Sequence, residues 1–168
     1  MSSNLPSPSS GNVEKAEFCR ACAQFATGVA VATVRDAEGA PHGITINSFT
    51  SVSLEPPLVL ICVGHSASIL QRFRVTGYFG LNMLSEHQQH LSEHFARRAE
   101  DRFESVPWYP GATGVPLIPD VLGTVECRVV RAVTAGDHDI LLGEVLRTEV
   151  RGGRPLIYYG SAYRRLDP

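Results

Sequence analysis

Apolar positions along this chain come in short runs separated by turn residues, and most of the runs have the length of a strand. Val13–Phe25 is an exception: Phe18, Cys22 and Phe25 fall on one face with acids early in the segment, which predicts a helix ended by Gly28. Val29–Val34 is rich in β-branched residues, Asp36-Ala-Glu-Gly39 has turn chemistry and Gly43–Asn47 is extended again, so a hairpin is predicted. Val52–Leu54 and Leu58–Val63 predict buried strands. Pro56-Pro57 between them has no place inside a sheet and marks a kink or an edge. Ala67–Val75 predicts a short helix and Tyr78–Met83 another strand.

Ser85-Glu-His-Gln88 carries the capping-box pattern, and the helix it opens is expected to run to about Ala99. An irregular segment with Pro107, Pro110, Gly111, Gly114 and Pro116 follows. Four extended stretches come next, at Gly123–Val133, His138–Val150, Pro155–Tyr159 and Ala162–Leu166, with Gly152-Gly153 read as a hairpin turn. Residues 1–12 are Ser, Pro and Gly-rich with little to bury and predict a disordered tail, leaving one domain over residues 13–168. Many strands with a few helices between them predict a mainly β barrel with α insertions. No internal repeat is visible. The absence of strand-helix alternation and of G-x-G-x-x-G argues against a Rossmann domain.

Composition narrows the partners. With 168 residues and 43% hydrophobic content, the chain supports one real core. Its 15 Lys and Arg against 17 Asp and Glu create no basic field, so neither nucleic acid nor an anionic membrane is an expected partner. The N-terminus has no basic, apolar leader pattern, and a soluble, cytoplasmic protein is expected. Cys19, Cys22, Cys62 and Cys127 lie in predicted helix or strand and read as reduced thiols. Cys19-Arg-Ala-Cys22 lacks a second pair for zinc. His87, His90 and His94 share a helix face without the company a metal site needs, so no metal is expected.

The densest chemistry lies in His42–Gly64, HGITINSFTSVSLEPPLVLICVG. Thr45, Asn47, Ser48, Thr50, Ser51 and Ser53 place donors and acceptors between apolar runs, a composition suited to a phosphorylated planar ligand. His65-Ser-Ala-Ser68 follows an apolar strand and is predicted to open a helix, with orphan N–H groups and the positive dipole end available to a phosphate or simply capped by Ser66. About ninety residues beyond Thr45 comes Gly136-Asp137-His138, at the head of a strand.

The pattern T-x-N-S-F-T-S-V-S-L-x-P-P-L-V, together with the downstream G-D-H, resembles the short-chain flavin reductase family over about Phe18 to Leu166. The resemblance implies an FMN-binding split β-barrel, Greek-key-like, and a homodimer with flavin near the subunit interface. It implies an NAD(P)H-dependent flavin reductase that reduces FMN or FAD with NADH or NADPH and supplies a separate monooxygenase component. By the same resemblance Thr45, Asn47, Ser48, Phe49, Thr50 and Ser51 would line the flavin, Ser66 and Ser68 would hold its phosphate with His65 assisting, and Asn82 would reach it from its strand. His94 is expected to pack near the flavin or the subunit interface, Asp101-Arg102-Phe103 resembles a family segment next to the site, with Arg102 read equally as a surface charge, and Tyr163 and Arg164 match a G-x-Y-R ending at the flavin pocket. His138 would be the catalytic contact to the reductant, with Gly136 admitting backbone approach and Asp137 holding the turn. For Tyr158 and Tyr159 cross-strand packing is the preferred reading, and Trp108 is either a lid or a core anchor. Two other functions fit a split barrel: a flavin or haem carrier without catalysis, against which the G-D-H motif argues, and a pyridoxamine-phosphate-oxidase-like enzyme, against which the lack of Arg or Lys in residues 42–68 argues.

Overall fold

A computed structural model describes residues 13–97 and 102–166 of the chain. The tail over residues 1–12 and the expected helix end at Ala99 lie outside these residues. The first element is a helix, α1 (Lys15–Cys22), shorter than the predicted span and with no buried side chain. A two-residue strand β1 (Thr27–Gly28) leads into β2 (Ala30–Arg35) and β3 (Pro41–Ile46), the predicted hairpin turning at Asp36–Gly39. Then come β4 (Thr50–Leu54), β5 (Pro57–Gly64), α2 (Leu70–Thr76) and β6 (Tyr78–Met83). Ser85 and Gln88 form the predicted capping box, which opens a single 3-10 turn and then α3 (Gln89–Ala96). Short strands β7 (Tyr109–Pro110) and β8 (Pro116–Leu117) precede the two longest, β9 (Gly123–Ala135) and β10 (His138–Val150), and β11 (Ile157–Tyr159) and β12 (Ala162–Arg164) close the chain.

Seven strands form one sheet in the order β3-β2-β6-β9-β10-β5-β4, every neighbouring pair antiparallel. Its two edge strands, β3 and β4, are consecutive in the chain and joined only by Asn47, Ser48 and Phe49. Four residue steps reach at most about 14 Å, so the sheet must curl until its edges meet at that end. Register shifts at Ser51/Ser53, Leu142/Gly143 and Val145/Arg147 supply local bends for the curl. Gly143 makes room for it too: a Cβ there would lie 2.5 Å from Phe79 Cζ. The edges do not pair, and the result is a barrel that is split along one seam.

Both faces of β2 are buried, which is why it reads as a near-continuous apolar run. Ala30, Ala32 and Val34 point into a core with Ile61, Phe79, Leu81 and Leu141, capped by Phe73 of α2. Val31 points the other way, into a second core with Leu84, Phe95, Phe103, Ile118 and Leu156. Trp108 packs on this second core, 6.3 Å from the Phe103 ring and with the Arg35 guanidinium over it, so it is a core anchor.

Three expectations are corrected. Val52–Leu54 is not buried: β4 is an edge strand with one neighbour, and Leu54 is 95% exposed. Gly152-Gly153 is not a hairpin turn. Arg151 and Gly152 N–H both donate to Leu122 O, which ends β10 and swings the chain out of the large sheet toward β11 in the small sheet β1-β11-β12. The second helix starts at Leu70 instead of Ala67, because turns at Gly64–Ala67 and Ala67–Leu70 come first.

Candidate active site

Two adjoining cavities open along the seam of the barrel and share Val29, Ile46 and Asn47. The larger, about 470 Å³, is lined on one side by Asn47, Phe49, Thr50 and Ser51 and on the other by Phe25, Met83 and Leu156. The smaller, about 210 Å³, is lined by Thr45, Ser92, Tyr158 and Tyr163 among others. Six of the predicted residues therefore converge here: Thr45, Asn47, Phe49, Thr50, Ser51 and Tyr163. Thr45 Oγ1 donates to Ser92 O at 2.6 Å, and Ser92 Oγ and Tyr163 Oη are 2.8 Å apart. Tyr158 and Tyr163 face each other across β11 and β12, edge to face at 5.4 Å. The cross-strand packing expected of Tyr158 is present, and the same ring also forms cavity wall.

Ser48 lies between these residues but its hydroxyl is committed elsewhere: it accepts from Cys62 N at 3.0 Å and donates to Cys62 O at 3.1 Å. The hydroxyl takes the place of a backbone rung, since the adjacent pair in β4 and β5 is Thr50 with Leu60. It ties the loop that joins the two edges onto β5. Asn82 does not reach the cavities. It is fully buried, with Nδ2 donating to Val31 O and Thr33 Oγ1 and Oδ1 accepting from Ile118 N at 2.7 Å. β6 is a central strand, so an inward polar residue there must satisfy its hydrogen bonds within the core. Arg164 is exposed at the end of β12 and lines neither cavity.

His94 and Arg102 act together behind β3. His94 Nε2 donates to Arg102 O at 2.6 Å, and Arg102 Nη1 donates to Gly43 O at 2.6 Å, two residues before Thr45. Burial pushes the Arg102 guanidinium below its ordinary value. Gly43 is required there, because a Cβ would meet Phe95 at 2.8 Å. These residues hold the strand that carries Thr45. His87, His90 and His94 form no metal group, and no cluster of three metal-binding side chains occurs among the described residues.

Gly136-Asp137-His138 is the turn between β9 and β10, with Gly136 at φ +63°. His138 pairs in register with Gly64 at the end of β5, and its ring lies over that glycine, where a Cβ would be 3.4 Å from Nε2. His138 Nδ1 and Asp137 Oδ1 are 2.7 Å apart, and this bond holds the Asp137 carboxyl below the ordinary range. His65 N donates to Asp137 O at 2.8 Å, so the segment after β5 is stitched to the motif. Ser66 and Ser68 are exposed, and α2 starts after them with Ile69 at its N-cap and no side-chain cap bond. The helix start expected at these two serines is displaced to Leu70. Ser48 and His138 contact β5 two residues apart, at Cys62 and Gly64, about 7 Å along the strand. The seam loop and the G-D-H turn are neighbours.

Several wall residues carried no signal of their own in the sequence. Val29, Met83 and Leu156 read as ordinary core, and Ser92 is one polar residue on a helix. Asp139 and Arg74, which join the G-D-H turn to α2, lie 65 residues apart.

A family model described as a flavin reductase like domain matches residues 22–167. The chain is 43% identical over 157 residues to the FMN reductase (NADH) SmoA of Agrobacterium fabrum, covering 94% of this chain and 89% of that one. It is 45% identical to a probable flavin reductase of Rhizobium meliloti, of which it spans only 45%. Among solved structures it superposes on the NADH:FAD oxidoreductase SgcE6 of Streptomyces globisporus in complex with NAD and FAD fragments, with a TM-score of 0.87 and 39% identity over 92% of this chain and 94% of that one. The seamed barrel is the fold of solved flavin reductases. The chain belongs to the flavin reductase-like family.

The cavities fit a flavin. A flat tricyclic ring with one polar edge needs an apolar wall facing a row of small polar groups, and the larger cavity provides both. Thr27 Oγ1, on its wall, is buried with no partner among the described residues, as a hydroxyl meant for a ligand would be.

Proposed function

We propose that this flavin reductase binds FMN or FAD in the seam, takes NADH against the G-D-H turn, and releases reduced flavin to a separate monooxygenase. The adjacency of the seam loop and His138 on β5 carries this reading. Flavin supplies the hydride-accepting chemistry when bound, so the chain's own contribution is orientation. Asn47, Phe49, Thr50 and Ser51 hold the ring edge, and the Val29–Ile46 wall excludes water from one face. Tyr163 and Thr45, both fixed through Ser92, shape the second cavity. His138, fixed by Asp137, presents its imidazole where the nicotinamide carboxamide arrives. NADH reduction of one flavin consumes one proton and leaves NAD+, and no side chain has to bond covalently to either.

The working unit is a homodimer. α1 buries none of its side chains within the chain, with Phe18 and Phe25 exposed, and β4 presents Val52 and Leu54 to solvent. Apolar faces of this kind need a cover, and a second copy offers the same faces by symmetry. No helix is long and apolar enough to cross a membrane among the described residues.

NADH oxidation followed spectroscopically with FMN, FAD and riboflavin in turn tests the activity, and His138→Ala tests the site. The expected result is flavin-dependent oxidation, with the NADH KM raised in the variant and the flavin KM nearly unchanged. Unchanged NADH KM in His138→Ala overturns the assignment of that residue. Flavin that stays with the protein through gel filtration, with no NADH oxidation, overturns the diffusible-flavin reading.

A further inference from the structure

The edge strand β12 is tied to the rest of the molecule by few bonds. Among the described residues it has hydrogen bonds only to β11, its ladder partner, and through Tyr163 to Ser92 of α3. Ser92 and Phe95 are the buried residues of α3, three positions apart on one helix face. Phe95 packs against Gly43 of β3, where a Cβ would meet its ring. The fully buried Ser92 has two bonds on that face: its O accepts from Thr45 Oγ1 at 2.6 Å, and its Oγ shares a hydrogen bond of 2.8 Å with Tyr163 Oη, 71 residues further on. A serine inside a helix can satisfy its hydroxyl on a carbonyl of the preceding turn. Here the hydroxyl reaches a different sheet. Thr45 of β3 and Tyr163 of β12 both line the smaller cavity, so Ser92 spans the gap between the two sheets that wall it. At about 210 Å³ this cavity is below the range of about 300–1,000 Å³ that holds drug-sized ligands. It adjoins the larger cavity at Val29, Ile46 and Asn47 and suits one end of a ligand seated mainly there.

We propose that Ser92 is a positioning residue for flavin binding: its hydroxyl fixes the Tyr163 ring and its carbonyl fixes Thr45, so that one residue of α3 sets the width of the smaller cavity, which receives one end of the flavin ring. Strand pairing does not set this width, since β3 and β12 belong to different sheets. The Tyr158 ring, edge to face with Tyr163 at 5.4 Å, steadies Tyr163 within its own sheet, and the Ser92 hydrogen bond refers it to β3. The two walls depend on different groups of the same residue. Removing the hydroxyl frees Tyr163 and leaves Thr45 held.

The inference rests on the reading that flavin binds in the seam, and the test separates the two. Ser92→Ala, Tyr163→Phe, Thr45→Val and the double variants of Ser92→Ala with each of the other two are compared with the parent. Fluorescence titration of oxidised flavin gives its Kd, and steady-state kinetics give the NADH KM. Ser92→Ala and Tyr163→Phe should each raise the flavin Kd about fivefold, the effect of one lost hydrogen bond, and leave the NADH KM within about twofold. Their double variant should be no worse than either single one, because both remove the same bond. Ser92→Ala and Thr45→Val should multiply, because the carbonyl that holds Thr45 survives the first change. A merely structural role for Ser92 would move the flavin Kd and the NADH KM together and multiply with Tyr163→Phe, and that outcome overturns the proposal. Alanine is the better helix former at this position, and Tyr163→Phe, which keeps both ring and helix, carries the test if Ser92→Ala folds poorly. Thr50→Trp, which fills the larger cavity from an exposed position, reports on the seam itself. If Thr50→Trp raises the flavin Kd while Ser92→Ala and Tyr163→Phe do not, this inference fails and the seam stands; if none of the three does, the flavin site itself is misplaced.

Discussion

Ser48 and Cys62 form one rung of the sheet in which a hydroxyl stands where a second backbone should be. That rung ties the loop bearing Asn47 and Phe49 to the strand that also carries Gly64 beneath His138. Ser48→Ala leaves a half-buried N–H and C=O of Cys62 unpaired, at a cost of about 1–2 kcal/mol. Thermal unfolding should fall by about 2–8 °C, and the flavin KM should rise severalfold as the loop loosens. Ser48→Thr keeps the hydroxyl and should stay close to the parent in both. An unchanged melting temperature in Ser48→Ala would show that the rung bears no load.

Asn82 separates a structural amide from a ligand contact. Asn82→Ala leaves Ile118 N, Val31 O and part of Thr33 without their partner inside the core, and urea unfolding should show a loss of about 2–4 kcal/mol. Flavin KM in the folded protein should match the parent. Weakened flavin binding with full stability would return Asn82 to the site.

Leu54→Asp places a charge on the most exposed apolar side chain of β4. Sedimentation equilibrium should report a dimer for the parent and a shift toward monomer for the variant. Such a shift with Asp at Val75, an exposed apolar residue at the end of α2, would point to a different interface.

Acid stability follows from the two enclosed carboxylates among those held low, Asp36 and Asp139, Asp137 being exposed to solvent. The hydrogen bond from His42 Nε2 at 2.5 Å, aided by Ala40 N and opposed by burial, lowers Asp36. Asp139 is lowered despite its burial. A depressed carboxyl binds its proton more weakly in the folded chain, so its contribution is complete above the unfolded value of about 3.9 and is lost as pH falls through the lower folded value. Melting temperature should be flat above about pH 5 and fall steeply below about pH 4. Asp36→Asn should lower the plateau and make the acid limb shallower; a limb unaltered by that change would exclude the Asp36–His42 pair as its source.

The sequence is most legible where local pattern and tertiary role agree. β6 (Tyr78–Met83) and β10 (His138–Val150) match their expected bounds, because apolar residues run between the punctuating Gly77 and Gly136, both at positive φ. Prediction fails where position in the sheet decides. Val52 and Leu54 look like core residues, but an edge strand has no layer over them within one chain. Gly152-Gly153 has hairpin composition, yet the choice between hairpin and crossover is made by Leu122 O, about thirty residues away. The same holds at the site: Thr45, Asn47, Phe49, Thr50, Ser51 and Tyr163 converge as the motif suggests, while the hydroxyl of Ser48 and the amide of Asn82 are consumed by backbone groups that no local pattern reveals. Asp139 was visible as a letter beside G-D-H. Its work became visible only with Arg74 and His65 around it.

The joining of the two sheet edges by three residues also bears on how the molecule handles turnover. A ligand at a seam contacts segments far apart in the fold but continuous in the chain, so it enters and leaves without any strand having to unpair. A ligand seated there would touch both lips, while the hydrogen-bonded ladder of the sheet is complete without it. On the proposed function, a seam of this kind would let product leave without disturbing the sheet.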